Sequence, residues 1–228
     1  MIIHGPRGLE AADRVHRSSD GALTSLRSLT KADGLGLLVT MTRTHRAQDQ
    51  DLTFTGHRET SLLLEGSGRL ETCQNGKSFD LLPGVLWSVG QQERHSLTIS
   101  AGARVLNVFN PALKSPDEEC RTAALLMRHV SAVDDTGETV LVGAEDNLGF
   151  SLGWRRCRPG QNMTLEPDAG WIGCFAAAGE LVVVDNTDQP VATDTVLVIE
   201  SGERADLRAN TNADLIVFAP VPEGSPTS

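Results

Sequence analysis

The sequence predicts an all-β protein made of two β-barrels joined by a short helical connector. From Leu23 onward, short apolar-polar alternations are broken by Gly, Asp or Asn every eight to twelve residues, the pattern of a sandwich or barrel. Helical periodicity is nearly absent. The second half repeats the first: Asp33-Gly34-Leu35-Gly36 returns as Asp146-Asn147-Leu148-Gly149 at an offset of 113 residues, and Gly66 returns at Gly179 with the same offset.

Taken in order, strands are expected over 24–29, 35–44, 51–55, 60–65, 69–74, 77–81, 85–89, 96–100 and 104–109, with turns at Gly66 and Pro83-Gly84. In the strand that His95 opens, His95, Leu97 and Ile99 alternate with Ser96, Thr98 and Ser100, so His95 heads an apolar, inward face. Ser115-Pro116-Asp117-Glu118-Glu119 then offers an N-cap serine, a proline at the first helical position and acids over the positive helix end, and Arg121 to His129 read as a short helix.

At the offset of 113, Leu37, Val39, Met41 and Arg43 correspond to Phe150, Leu152, Trp154 and Arg156, so one strand face recurs. Further on the offset shrinks, matching Val108-Phe109-Asn110-Pro111 to Val217-Phe218-Ala219-Pro220. The expected organisation is a first barrel over 1–113, a helical connector over 114–145, a second barrel over 146–222 and a disordered tail over 223–228.

Composition excludes several classes. With 20 Lys and Arg against 30 Asp and Glu, a net charge of -10 and no basic block, nucleic acid is not an expected partner. No apolar run approaches the eighteen or so residues of a membrane span, and the N-terminus lacks a signal-peptide core, so a soluble cytoplasmic protein without a membrane partner is expected. Cys73, Cys120, Cys157 and Cys174 form no Cys-x-x-Cys pair and read as small buried hydrophobes.

The chemistry concentrates in His57, Glu59 and His95. On a strand, residues two apart share a face, so His57 and Glu59 point the same way. Two imidazoles and a carboxylate suit Fe(II), Zn(II) or Mn(II), or an acid and base working without metal. His4, His16 and His45 are expected in solvent. In the second copy Gly170 and Ile172 stand where His57 and Glu59 stood, and no histidine follows His129, so an imidazole-based metal site is excluded there.

The run Glu59 to Gly66, followed by Pro83-Gly84 and His95, resembles the paired motifs of the cupin superfamily. The stretch from 1 to about 113 resembles ectoine synthase more narrowly, in Gly68-Arg69-Leu70-Glu71-Thr72, Asn75-Gly76-Lys77, Leu82-Pro83-Gly84, His95 and Val108-Phe109-Asn110-Pro111. That family closes an acetylated diaminobutyrate into a cyclic amidine by losing water. The resemblance implies Glu59 and His95 as metal ligands, with Arg27, Thr42, His57, Phe109 and Pro111 in the substrate pocket. Trp87 takes the place of the family's metal-ligand tyrosine, and the chain has no tyrosine to supply from elsewhere. Leu23 stands for a pocket tryptophan and Asn107 for a pocket cysteine, while 115–119 replace a Gly-x-Glu-x-His segment. A metal held by His57, Glu59 and His95 would thus be weakly bound or absent.

The expected function is a lyase-type cyclisation or dehydration of a small-molecule substrate in the first barrel. Glu59, His95 and His57 would be catalytic, and Arg27, Thr42, Trp87, Asn107 and Phe109 substrate-binding. A metal-dependent oxygenase or isomerase and a non-catalytic small-molecule-binding protein remain as alternatives. The two barrels are expected to pack within one chain, with a homodimer left open.

Overall fold

The computed structural model describes residues 1–54, 56–73, 76–90, 92–110, 125–130, 138–185 and 188–221. Two compact units result: Ala12–Ser131, here the N-terminal barrel, and Met1–Ala11 with Ala132–Ser228, the C-terminal barrel. No helix among the described residues is long and apolar enough to cross a membrane.

The N-terminal barrel sets a seven-stranded antiparallel sheet against a four-stranded one. Across the larger sheet the order is Leu126–His129, Val85–Val89, Arg58–Glu65, Arg104–Asn110, Leu38–Thr44, Leu23–Leu29 and Val15–Arg17. The smaller runs Gln48–Leu52, His95–Ile99, Gly68–Thr72, Ser78–Leu81. Leu63, Leu70, Leu81, Trp87 and Ile99 are among the side chains that fill its core.

The C-terminal barrel repeats this order, with six strands in its larger sheet and no counterpart of Val15–Arg17 among the described residues. Its larger sheet runs Ile2–His4, Val196–Glu200, Trp171–Ala178, Ala213–Pro220, Phe150–Cys157, Glu138–Val142, and its smaller one Asn162–Leu165, Ala205–Ala209, Leu181–Val183, Gln189–Val191. The repeat extends to single hydrogen bonds. Asp33 Oδ2 accepts from the Thr30 N–H at 2.7 Å, and Asp146 Oδ2 from the Gly143 N–H at 2.8 Å. Each of these turns closes on a left-handed residue, Gly34 at φ 71° and Asn147 at φ 57°, a conformation that Gly and Asn tolerate best.

Three expectations are corrected. Leu126–His129, read as the end of a helix, is a strand antiparallel to Val85–Val89. Leu125 and Met127, two apart, both pack against the core beside Trp87, as alternate residues of a strand do. The backbone groups along the Val85–Val89 edge need partners, and that demand outweighs a weak local helix signal. The first eleven residues, read with the first barrel, belong to the C-terminal one, where Ile2–His4 pairs with Val196–Glu200. Cys157 and Cys174 are buried, whereas Cys73 is exposed. Pro111, Cys120, the segment 115–124, residues 131–137 and the tail 222–228 lie outside the described residues.

Candidate active site

Side chains from both sheets of the N-terminal barrel line a cavity of about 650 Å³ that is open to solvent on one side. Its polar wall is a product of strand register. Arg27 lies opposite Thr40, Thr40 opposite Asn107, Asn107 opposite Ser61, and Ser61 opposite Trp87, one row across five strands. All but Ser61 line the cavity. One step along, Glu59 is paired with Phe109 on one side and Val89 on the other.

This row is tied together by hydrogen bonds. The Ser61 hydroxyl lies 3.1 Å from Glu59 Oε1 and 2.9 Å from Asn107 Oδ1, and its single proton serves one acceptor at a time. Asn107 Nδ2 donates to the hydroxyls of Thr40 and Thr42, each at 3.2 Å, and Thr42 Oγ1 lies 2.9 Å from Ser25 Oγ. With Asn107 oriented this way its Oδ1 takes the Ser61 proton, which leaves a Ser61 lone pair facing Glu59. A neutral Glu59 can donate to it. Burial pushes the Glu59 carboxyl up to about 7, a rise that the Ser61 hydroxyl would oppose only weakly if it turned its proton to Glu59 instead of Asn107.

His57 lines the cavity beside Glu59. Phe54 and Phe109 flank its ring at centroid distances of 5.0 and 4.9 Å, and both ring nitrogens are buried without a hydrogen-bond partner. Burial lowers its pKa, so the imidazole is neutral and has a donor and an acceptor to offer a ligand. His95 is 1% exposed and is not among the lining residues. Its Nδ1 lies 3.2 Å from the Glu93 carbonyl, its Nε2 has no partner, and its ring stands 6.0 Å from Phe54. Burial lowers its pKa too, outweighing the Glu93 carbonyl and carboxylate.

The remaining sequence-derived candidates are distributed around the same space. Thr42, Trp87, Asn107 and Phe109 line it, and Arg27, exposed, lines it with no guanidinium partner among the described residues. Leu23 lines it as well. His16, expected in solvent only, is exposed but borders the cavity. Sequence reasoning missed Phe54, Thr40 and Ser61. Thr40 could have been found two residues before Thr42, and Ser61 two residues after Glu59, by extending the strand alternation. Phe54 was visible only as one apolar residue near His57.

The side chains as placed do not fit a three-ligand metal centre. Among the described residues no three His, Cys, Asp or Glu side chains are positioned to hold a metal ion. Glu59 is engaged by Ser61, His95 lies off the cavity lining, and the Trp87 indole offers a donor but no lone pair. Protein purified without added metal is therefore expected to carry well under one equivalent of divalent metal. A full equivalent that survives chelator, unchanged in His95→Ala, would contradict this placement.

The C-terminal barrel carries the same row in hydrocarbon. Gly153, Val217, Cys174 and Leu197 are paired in succession where Thr40, Asn107, Ser61 and Trp87 stand in the first copy. By the same register Ile172 and Ala205 take the places of Glu59 and His95. Cys174, Leu197 and Ala205 are core residues of that barrel, with Ile172 and Val217 packed against them.

Comparison with known proteins separates fold from family. The fold recurs in solved structures: bacterial pirin YhhW from Escherichia coli in complex with nickel(II) aligns at TM-score 0.70 and 12% identity, over 97% of this chain and 99% of that one. Ylba from E. coli aligns at 0.75 and 12% identity, over 98% and 92%, and a Bacillus subtilis oxalate decarboxylase at 0.65 and 11%, over 91% and 75%. These likenesses show a two-barrel cupin fold and nothing narrower. The sequence comparisons are narrower. L-ectoine synthase of Saccharophagus degradans is 25% identical over 134 residues, 59% of this chain and all of that protein. The Rhodococcus erythropolis enzyme of that name is 31% identical over 111 residues, 49% of this chain and 84% of its own length. With the ectoine synthase family model matching residues 1–124, which span the whole polar row and its cavity, this chain belongs to the ectoine synthase family.

Proposed function

We propose that the N-terminal barrel cyclises a small acylated diamino acid with loss of water, as the family resemblance implies for N-acetyl-diaminobutyrate. The observation that carries this reading is the juxtaposition, on one cavity, of a half-buried Glu59 whose carboxyl desolvation pushes up to about 7 and a neutral His57 with unpartnered ring nitrogens. Such a pair can move a proton in each direction near neutral pH.

In the proposed step the free amine attacks the acyl carbonyl carbon, a C–N bond forms and the C–O bond breaks. His57 takes a proton from the attacking nitrogen. Glu59 gives its proton to the carbonyl oxygen, which leaves as water once a second proton, relayed from His57, reaches it; the carboxyl is restored by the nitrogen's remaining proton. Arg27 holds the substrate carboxylate, and Phe54, Trp87 and Phe109 keep bulk water from the reacting carbon. Neither transfer is routed through a divalent metal such as Fe, Zn or Mn. Incubating the full chain with N-acetyl-diaminobutyrate and its longer acyl homologues and following the mass decides the matter: a product lighter by one water is expected, and intact substrate in every case after prolonged incubation would refute the reading.

A further inference from the structure

We infer that the preferred substrate carries an acyl group longer than acetyl, lying along the apolar wall of the N-terminal barrel; this rests on the cyclisation reading above. The cavity, at about 650 Å³, is of the size that encloses a drug-sized ligand, whereas N-acetyl-diaminobutyrate is far smaller. Much of its lining is apolar. The seven-stranded sheet supplies Thr40, Thr42, Asn107 and Glu59 together with Leu38 and Val105, and the facing four-stranded sheet supplies Leu52, Leu97 and Ile99 beside two glutamines.

Phe54 extends that apolar wall to the reacting centre, since its ring contacts His57 at 5.0 Å. The acyl carbonyl is the carbon that the amine attacks, so a chain attached to it starts at His57 and Glu59 and continues over Phe54 onto Leu52 and Leu97. Both leucines are only partly buried, leaving apolar surface for a ligand to cover. Gln48 and Gln50 also face this space, but Gln50 Nε2 donates to Gln48 Oε1 at 3.2 Å, so the two amides satisfy each other in part. Leu23 adds room where the family resemblance implies a tryptophan. The longer chain leaves the bond changes as they were: one C–N bond is made, one C–O bond is broken and one water departs, with no change of oxidation state.

The test compares N-acetyl-, N-butyryl- and N-hexanoyl-diaminobutyrate on the full chain, with kcat/KM read from water loss by mass spectrometry. Two added methylenes on an apolar wall are expected to favour butyryl over acetyl by about tenfold. In Leu97→Trp, checked for folding by thermal melt, the indole occupies the wall and the butyryl-to-acetyl ratio should fall toward one. Acetyl turned over fastest by the unaltered protein would overturn this inference and leave the cyclisation reading standing. Loss of water from none of the three would overturn both.

Discussion

Glu59→Gln is expected to lower kcat/KM for water loss by roughly 10²–10⁴-fold, the usual contribution of a positioned acid or base. The amide keeps the shape of the carboxylic acid and can still donate to Ser61 Oγ, so the barrel should fold unchanged while losing the proton it delivers. The pH dependence follows from the same group. Glu59 is a neutral acid below about 7 and loses its proton above it, so the rate should fall on the alkaline side of neutrality. His57, its pKa lowered by burial, stays neutral across that limb and becomes charged only at lower pH.

Stability should move in the same direction. The unfolded carboxyl titrates near 4.5 and the folded one at about 7, so folding retains a proton between these values, and stability falls as pH rises through that window. The loss is on the order of 3 kcal/mol and is complete above the folded value. His57 has the opposite sign: its depressed pKa costs stability as pH falls below its ordinary 6.5. Urea unfolding at about pH 5 and pH 8 should therefore show Glu59→Gln gaining on the parent protein at the higher pH only. A variant with undiminished turnover and an unchanged alkaline limb would remove Glu59 from the reaction.

Gly179→Ala is expected to destabilise the C-terminal barrel by more than about 3 kcal/mol. Gly179 has φ 83°, and a Cβ there would stand 2.2 Å from the Asn212 carbonyl oxygen and 2.6 Å from Ala213 Cα, so backbone would have to move. Gly202, at φ 82°, meets nothing within 4 Å of the same added atom. Gly202→Ala should thus show the conformational cost alone, roughly 1–2 kcal/mol. Equal losses in the two variants, measured by chemical denaturation, would show that the close approach is not what Gly179 serves. The duplicate position, Gly66 at φ 94°, would meet Ala103 Cα at 2.8 Å, which is why glycine recurs at this turn in both copies.

The alternation of short apolar and polar runs was enough to place most strands of the N-terminal barrel. Val85–Val89 was located to the residue, and Arg58–Glu65, His95–Ile99 and Arg104–Asn110 to within one or two at their ends. Such alternation is local: a half-buried strand writes its two faces into every second residue. Where the decisive partner is distant, the sequence misled. Leu126–His129 carries helix-like neighbours but lies against a sheet edge some forty residues earlier in the chain, and Ile2–His4 completes a sheet whose nearest strand begins at Val196.

The candidate site divides along the same line. By itself the sequence determined that His57 and Glu59 share a face, that His95 faces inward, that Trp87 can supply no metal ligand, and that the second copy lacks the imidazoles and the carboxylate. Only the tertiary structure decided that Arg27, Thr40, Asn107, Ser61 and Trp87 form one row, that His95 stands off the cavity lining, and that Glu59 is desolvated enough to hold its proton to about 7. The physical reason is register. A strand's own residues fix which face each side chain takes, whereas which side chains become neighbours across a sheet depends on how strands far apart in the chain are aligned, and the dielectric around a carboxyl depends on all of them together.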